Sequence, residues 1–206
     1  MNREVVIIDY GMGNLWSVAS AIKYLGYQPK ISNDFQIISS ASLLILPGVG
    51  SFRKAMASIK SASIDEAIFA ALANKQTKIL GICLGMQLLG KSSTEDGLTE
   101  GLGLVKNQIT RLQTSIIKPI KIPHIGLEQI KCIKNMTLFQ NISVDSHFYF
   151  VHSYIMNLLN DDSRYAIVDH GQKFAAAIEF GQIFGTQFHP EKSQKVGLKL
   201  LENFLK

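Results

Sequence analysis

The chain has 206 residues, 47% hydrophobic and 18% charged, with a mean hydropathy of +0.15; it is too apolar for disorder and of a length that suits one domain over residues 1–206. Lys and Arg number 21 against 16 Asp and Glu, a formal charge of +5, but the basic residues are scattered. The one loose cluster, Lys118, Lys121, Lys131 and Lys134, suits a solvated face better than a phosphate track, so no nucleic-acid partner is expected.

Val5-Val6-Ile7-Ile8 is continuously apolar, as in a strand covered on both faces, and Leu15, Val18, Ala19, Ile22 and Leu25 follow at helical spacing until Gly26 supplies a stop. Ile31 closes a second short strand and Leu43 to Leu46 form a third. Ser51 then caps a helix with Phe52, Ala55, Met56 and Ile59 on one face. A helix over Ile64 to Ala73, a strand from Lys78 to Ile82 and a helix from Leu84 to Leu89 complete an alternating first half. From Leu104 the rhythm changes to strands: Val105 to Ile109, Ile116 to Ile122, His147 to Tyr154, Tyr165 to Val168, Phe174 to Phe180 and Ile183 to Phe188. Gly181-Gln182 suits a hairpin turn, and a last helix starts near Ser193 with Val196, Leu200, Leu201 and Phe204 inward. The pattern predicts an α/β fold with a central mixed, largely parallel sheet flanked by helices.

No apolar run approaches the roughly 18 residues of a membrane span, and the N-terminus opens on a polar-flanked strand rather than a signal peptide. Cys83 and Cys132 form neither a CxxC pair nor a disulfide framework, which fits a reducing compartment. A cytoplasmic protein without metal, cofactor or membrane contact is expected.

Gly81-Ile82-Cys83-Leu84-Gly85 follows a buried strand and precedes a helix, a thiol version of the nucleophile elbow. The flanking glycines make room for the sharp turn, the central side chain is forced into an exposed, strained conformation, and the Leu84 amide points toward an oxyanion beside the sulfur. A cysteine nucleophile needs a base and a group to orient it. His124, His147, His152 and His170 lie among the strands, whereas His189 ends one and is followed by Pro190 and Glu191. In extended chain, positions i and i+2 share a side, so His189 and Glu191 can meet one cleft. A zinc reading of His189-x-Glu191 lacks the paired cysteines it requires. A peptidase triad stays open on these three residues alone.

Gly81-Ile-Cys-Leu-Gly-Met-Gln87, Pro47-Gly-Val-Gly-Ser-Phe52 and Phe188-His-Pro-Glu191 resemble class I, triad-type glutamine amidotransferases. Asp9-Tyr-Gly-Met-Gly-Asn14, Pro123-His-Ile-Gly126 and Phe150-Val-His-Ser-Tyr154 resemble, more narrowly, the glutaminase subunits of imidazole glycerol phosphate synthase. The resemblance spans nearly the whole chain. It implies hydrolysis of L-glutamine by Cys83, His189 and Glu191, with Gln87, Glu95 and main-chain groups of Ser153 and Tyr154 holding the substrate. Beside the elbow, Val49 and Gly50 become, with Leu84, the source of oxyanion amides, and rotation of that strip can switch the enzyme.

The resemblance also implies a synthase partner, a (β/α)8-barrel cyclase forming a heterodimer with the chain, because free ammonia is protonated in water and lost as a nucleophile. Asn14, Tyr149 and Lys192 belong to the expected docking face. Leu127-Glu128 stands where the histidine-pathway family usually has Trp-Asn, which raises an alternative: a paralogous glutaminase feeding a sugar amidotransferase of surface-polysaccharide synthesis. A non-catalytic interaction subunit is a third reading, opposed by the intact Cys83, His189 and Glu191.

Overall fold

The computed structural model describes residues 4–114, 119–132, 136–159 and 164–206. In chain order the elements are β1 (Val5–Ile8), α1 (Leu15–Tyr24), β2 (Pro29–Ser32), α2 (Phe35–Ser40), β3 (Leu43–Gly48), α3 (Phe52–Ser61), α4 (Ile64–Leu72), β4 (Lys78–Cys83) and α5 (Leu84–Leu88). The second half holds β5 (Ser92–Ser93), β6 (Thr99–Glu100), β7 (Gln108–Arg111), β8 (His124–Gln129), β9 (Lys131–Cys132), β10 (His147–His152), β11 (Tyr154–Met156), β12 (Arg164–Asp169), β13 (Lys173–Phe180), β14 (Ile183–Thr186) and α6 (Gln194–Leu205).

The main sheet has the order β2-β1-β3-β4-β14-β13-β12-β9. The first five strands run parallel and the last three antiparallel to their neighbours, which is the mixed, largely parallel sheet expected. Strand alternation sorts its core into two layers. Val5, Ile7, Leu43, Ile45, Leu80 and Ile82 share a cluster with Val18 and Ile22 of α1 and Leu200, Leu201 and Phe204 of α6. Val6, Ile8, Leu44, Leu46 and Ile79 pack with Phe52, Met56 and Ile59 of α3 and Ile64 and Ile68 of α4. Two faces buried at once explain why β1 and β3 read as unbroken apolar runs. Among the described residues, no helix is long and apolar enough to cross a membrane.

Several expectations need correction. Helix α2 was not expected: its six residues are too few for a 3.6 period to show, although Asp34 caps it, Oδ1 accepting the Ile37 N–H at 3.0 Å. Pro119 to Ile122 form no strand, and Ile116 to Lys118 lie outside the described residues, as does Lys134 of the basic cluster. The strand expected at Val105 begins only at Gln108. The segment from His147 to Tyr154 is two strands broken at Ser153, β10 pairing with β8 and β11 with β7 in separate small sheets. β8 escapes the pattern because its alternation is inverted: Ile125 and Leu127 are exposed at 59% and 55%, while His124 is buried. The hairpin at Gly181-Gln182 is present, Gly181 taking the positive φ of 57°.

Candidate active site

The parallel strands β3, β4 and β14 end side by side, and the loops beyond them form a crevice of the kind open α/β sheets use for ligands. At the end of β4, Cys83 adopts φ 55°, ψ −110°, a strained backbone for a side-chain-bearing residue. The surrounding glycines allow it. A Cβ on Gly85 would fall on the Leu46 carbonyl oxygen, one on Gly81 would meet the Gly85 carbonyl, and one on Gly48 would meet the Tyr10 hydroxyl.

Cys83, 6% exposed, opens on a cavity of about 370 Å³ that Val49, Gly50, Leu84, Gln87, Glu95, Ser153, Tyr154 and His189 also line. Every residue expected to form the nucleophile, oxyanion or glutamine sites therefore borders one space, except Glu191. That carboxylate lies behind the imidazole: Nδ1 of His189 donates to Oε1 at 2.8 Å, with the two side chains 3% and 1% exposed. Since the carboxylate can only accept, Nδ1 carries the proton and Nε2 is turned to the cavity without a hydrogen-bond partner. Burial by itself would lower the His189 pKa; the adjoining Cys83 sulfur and the Glu191 carboxylate outweigh it and raise the imidazole to about 9. Two hydrogen bonds hold the His189 main chain, its N–H donating to Tyr149 O at 2.9 Å and its carbonyl accepting from Ser193 Oγ–H at 2.7 Å.

Gln87 is 4% exposed, not a surface helix residue; its amide donates to Tyr154 O at 2.9 Å and Gln187 Oε1 at 3.0 Å. Ser153 O accepts the Leu112 N–H at 2.9 Å, so both carbonyls of the Ser153-Tyr154 pair are engaged within the protein. Glu95 is tied to a helix end: Oε2 accepts the Phe52 N–H at 2.7 Å. Ser51, expected as the α3 cap, makes no side-chain cap bond and donates instead to Asp96 Oδ2 at 3.1 Å.

Three neighbours of the site were not anticipated. Gln187 reaches Cys83 Sγ with its Nε2 at 3.8 Å; no extended-chain alternation announces it, because β14 ends at Thr186 and Glu191 lies in a 3-10 turn, Pro190–Lys192, rather than on the extended chain expected. Tyr10 donates to Pro47 O at 2.8 Å and anchors the residue before the Gly48–Gly50 strip. His152 lines the cavity, its Nδ1 3.0 Å from Tyr154 O. Burial and neighbouring imidazoles push His152 down to about 3 and His124 to about 4, so both rings are neutral at pH 7.

A family model for class-I glutamine amidotransferases matches residues 6–206. The chain belongs to that family. It is 44% identical over 203 residues to imidazole glycerol phosphate synthase subunit HisH 1 of Parasynechococcus marenigrum, covering 98% of this chain and 97% of that one. Likeness of the same order holds for subunit HisH of Moorella thermoacetica, 42% over 202 residues and 98% and 94% of the two chains. For subunit HisH of Vibrio cholerae it is 41% over 210 residues and 100% and 99%. Among solved structures, a glutamine amidotransferase superposes with a TM-score of 0.75 at 17% identity, covering 97% of this chain and 98% of that chain. PurLQS of Thermotoga maritima gives 0.71 at 20%, covering 100% and 98%. At such identities these two establish the fold.

On this amidotransferase, three of the residues expected to meet a partner, Leu127, Glu128 and Tyr149, share the β8-β10 pair. Tyr149 lies opposite Leu127 in the β8-β10 pair, and Glu128 opposite Phe148; Lys192 Nζ sits 5.9 Å from the Tyr149 ring centre. Asn14 caps α1, Oδ1 accepting the Ser17 N–H at 3.3 Å.

Proposed function

We propose that this amidotransferase is the glutaminase subunit of a synthase, hydrolysing L-glutamine to glutamate and ammonia and passing the ammonia to a cyclase subunit of imidazole glycerol phosphate synthase. The observation that carries the reading is the buried His189–Glu191 pair whose free Nε2 shares a cavity with the strained Cys83. The sulfur attacks the side-chain carboxamide carbon, its proton held on His189, and the oxyanion forms beside the Leu84 amide and the Val49-Gly50 strip. With a pKa raised to about 9, His189 keeps its proton at neutral pH and gives it to the departing ammonia. The neutral imidazole then takes a proton from water as the water attacks the glutamyl thioester, releasing glutamate and regenerating the thiol.

Likeness of 41% to 44% to synthase subunits over nearly full length supports the pathway assignment. The partner is a (β/α)8 barrel joined as a heterodimer in the cytoplasm, its ammonia path sealed against Ile125, Leu127, Tyr149 and Lys192. Exposed Leu127, where an aromatic anchor is expected, favours the second reading, a paralogue serving a sugar amidotransferase. Replacing Cys83 by Ala tests the chemistry common to both. Glutamine-dependent synthesis by the assembled complex is lost, while synthesis from added ammonium salts persists. Parallel loss of both activities with assembly intact overturns the assignment.

A further inference from the structure

Apart from the glutamine cavity, three ligand-type side chains converge under the β8-β10 pair. His124 Nε2 lies 3.6 Å from Glu128 Oε1, His170 Nδ1 lies 3.9 Å from the same oxygen, and all three atoms fall within 4.8 Å of one another. His124 is 1% exposed, and its Nε2 is buried with no hydrogen-bond partner.

The far nitrogens fix the tautomers. Tyr154 O can only accept, so His152 Nδ1 donates to it at 3.0 Å and His152 Nε2 is left as an acceptor. His124 Nδ1, 3.0 Å from that Nε2, is then the donor, and its own Nε2 carries a bare lone pair. On the other side Lys121 O accepts from His170 Nε2 at 3.2 Å, leaving His170 Nδ1 bare in the neutral ring. Two imidazole nitrogens and a carboxylate oxygen gather beside one another, the stacked rings setting their nitrogens side by side rather than aimed at a common point. That is a repulsive arrangement for bare groups and an attractive one around a cation. Each ring also anchors its outer N–H on an acceptor, the arrangement by which proteins orient metal-ligating histidines.

We propose that His124, Glu128 and His170 form a binding site for a divalent transition-metal ion of the zinc type, with water completing the coordination. Bonds of about 2.1 Å at tetrahedral angles put ligand atoms roughly 3.4 Å apart, and the separations from Glu128 need only modest contraction. The His124 and His170 rings are stacked, 4.0 Å between centres and 24° apart, so His170 must tilt for both lone pairs to point at one ion. It can do so: its side chain is 20% exposed and Gly171 beside it takes a turn conformation with φ 73°. The His124–His152–Tyr154 chain links the ion to the cavity wall, where Tyr154 O also holds Gln87. The proposal stands whether or not the glutaminase reading does.

Calorimetric titration of the full chain with zinc chloride, in a Cys83→Ser background so that the catalytic sulfur does not compete, should give one ion per chain with micromolar or tighter affinity. Glu128→Gln and His170→Phe, both at partly exposed positions, should each weaken binding by about tenfold or more while thermal melts confirm that they fold. Cobalt(II) should show ligand-field absorption with the parent that either variant loses. Absence of saturable zinc binding, or binding that both variants retain at parental strength, overturns the site.

Discussion

His189 precedes the 3-10 turn Pro190–Lys192 that carries Glu191, not the extended chain expected, and a 2.8 Å bond between two nearly inaccessible side chains makes the imidazole and its carboxylate one unit. Glu191→Gln keeps the shape but removes the charge that stabilises the imidazolium, so kcat for glutamine should fall by about 10- to 10⁴-fold with KM little changed. Steady-state kinetics of the assembled complex decides it; wild-type turnover would show that the Glu191 charge does not serve the imidazole. The same pair sets a pH dependence. His189 is raised from 6.5 to about 9 in the folded protein, so between those values the native state binds a proton that the unfolded chain has released. Its stabilisation is complete below pH 6.5 and fades as pH rises through 9, by on the order of 1–3 kcal/mol. Urea unfolding of wild type and His189→Asn across pH 6 to 9.5 should show the wild type losing this increment and the variant losing markedly less; parallel slopes would contradict it.

Among the elements, α3 shows how a cap can come from far away in sequence. A serine before a helix is the preferred local cap, yet the Ser51 side chain makes no cap bond and the first-turn amide of Phe52 is held by Glu95, 43 residues on. Glu95→Ala should therefore destabilise the fold by about 1–2 kcal/mol, more than Ser51→Ala does. Chemical denaturation of the two variants measures it, and the reverse order would show that the local serine is the working cap. The link has a functional side, because α3 starts where the Gly48–Gly50 strip ends and Gly50 takes a φ of 98°, which favours glycine. In the isolated chain, glutaminase turnover should be slow, with partner and acceptor substrate raising kcat more than they lower KM. Full activity without a partner removes the case for a switch in this strip.

At the scale of the molecule, the crevice beyond β3, β4 and β14 opens next to the small β8-β10 sheet, whose outward face carries Ile125 and Leu127 at more than half exposure. An apolar pair that no described residue of its own chain covers is suited to a partner. An aromatic anchor at such a face typically contributes about 2 kcal/mol or more. A standard histidine-pathway cyclase should therefore activate Leu127→Trp at a concentration about tenfold lower than it needs for the parent. This single change leaves Glu128 with its two histidines. Equal, tight activation of both proteins would show that Leu127 does not select the partner and would strengthen the ordinary histidine-pathway assignment.

What the sequence determined by itself was local or periodic. The apolar runs of β1 and β3 announce strands buried on both faces, and the glycines around Cys83 announce a turn that only residues without a Cβ permit. The pairing of His189 with Glu191 was legible in their two-residue spacing, although a 3-10 turn and not extended chain delivers it. Six motifs in order gave the family. What the tertiary structure decided depends on contacts between distant segments, which no local pattern encodes. Gln187 shares the site with Gln87, 100 residues away, Glu95 caps a helix that starts at Phe52, and the run ending at Tyr154 divides between two sheets. Strand β8 hid because its apolar residues face outward, and the convergence of His124, Glu128 and His170 exists only because folding brings a turn after β12 against β8. Backbone rules act over a few residues, whereas the choice of partner for a buried donor or lone pair is made by whichever group the folded chain delivers to it.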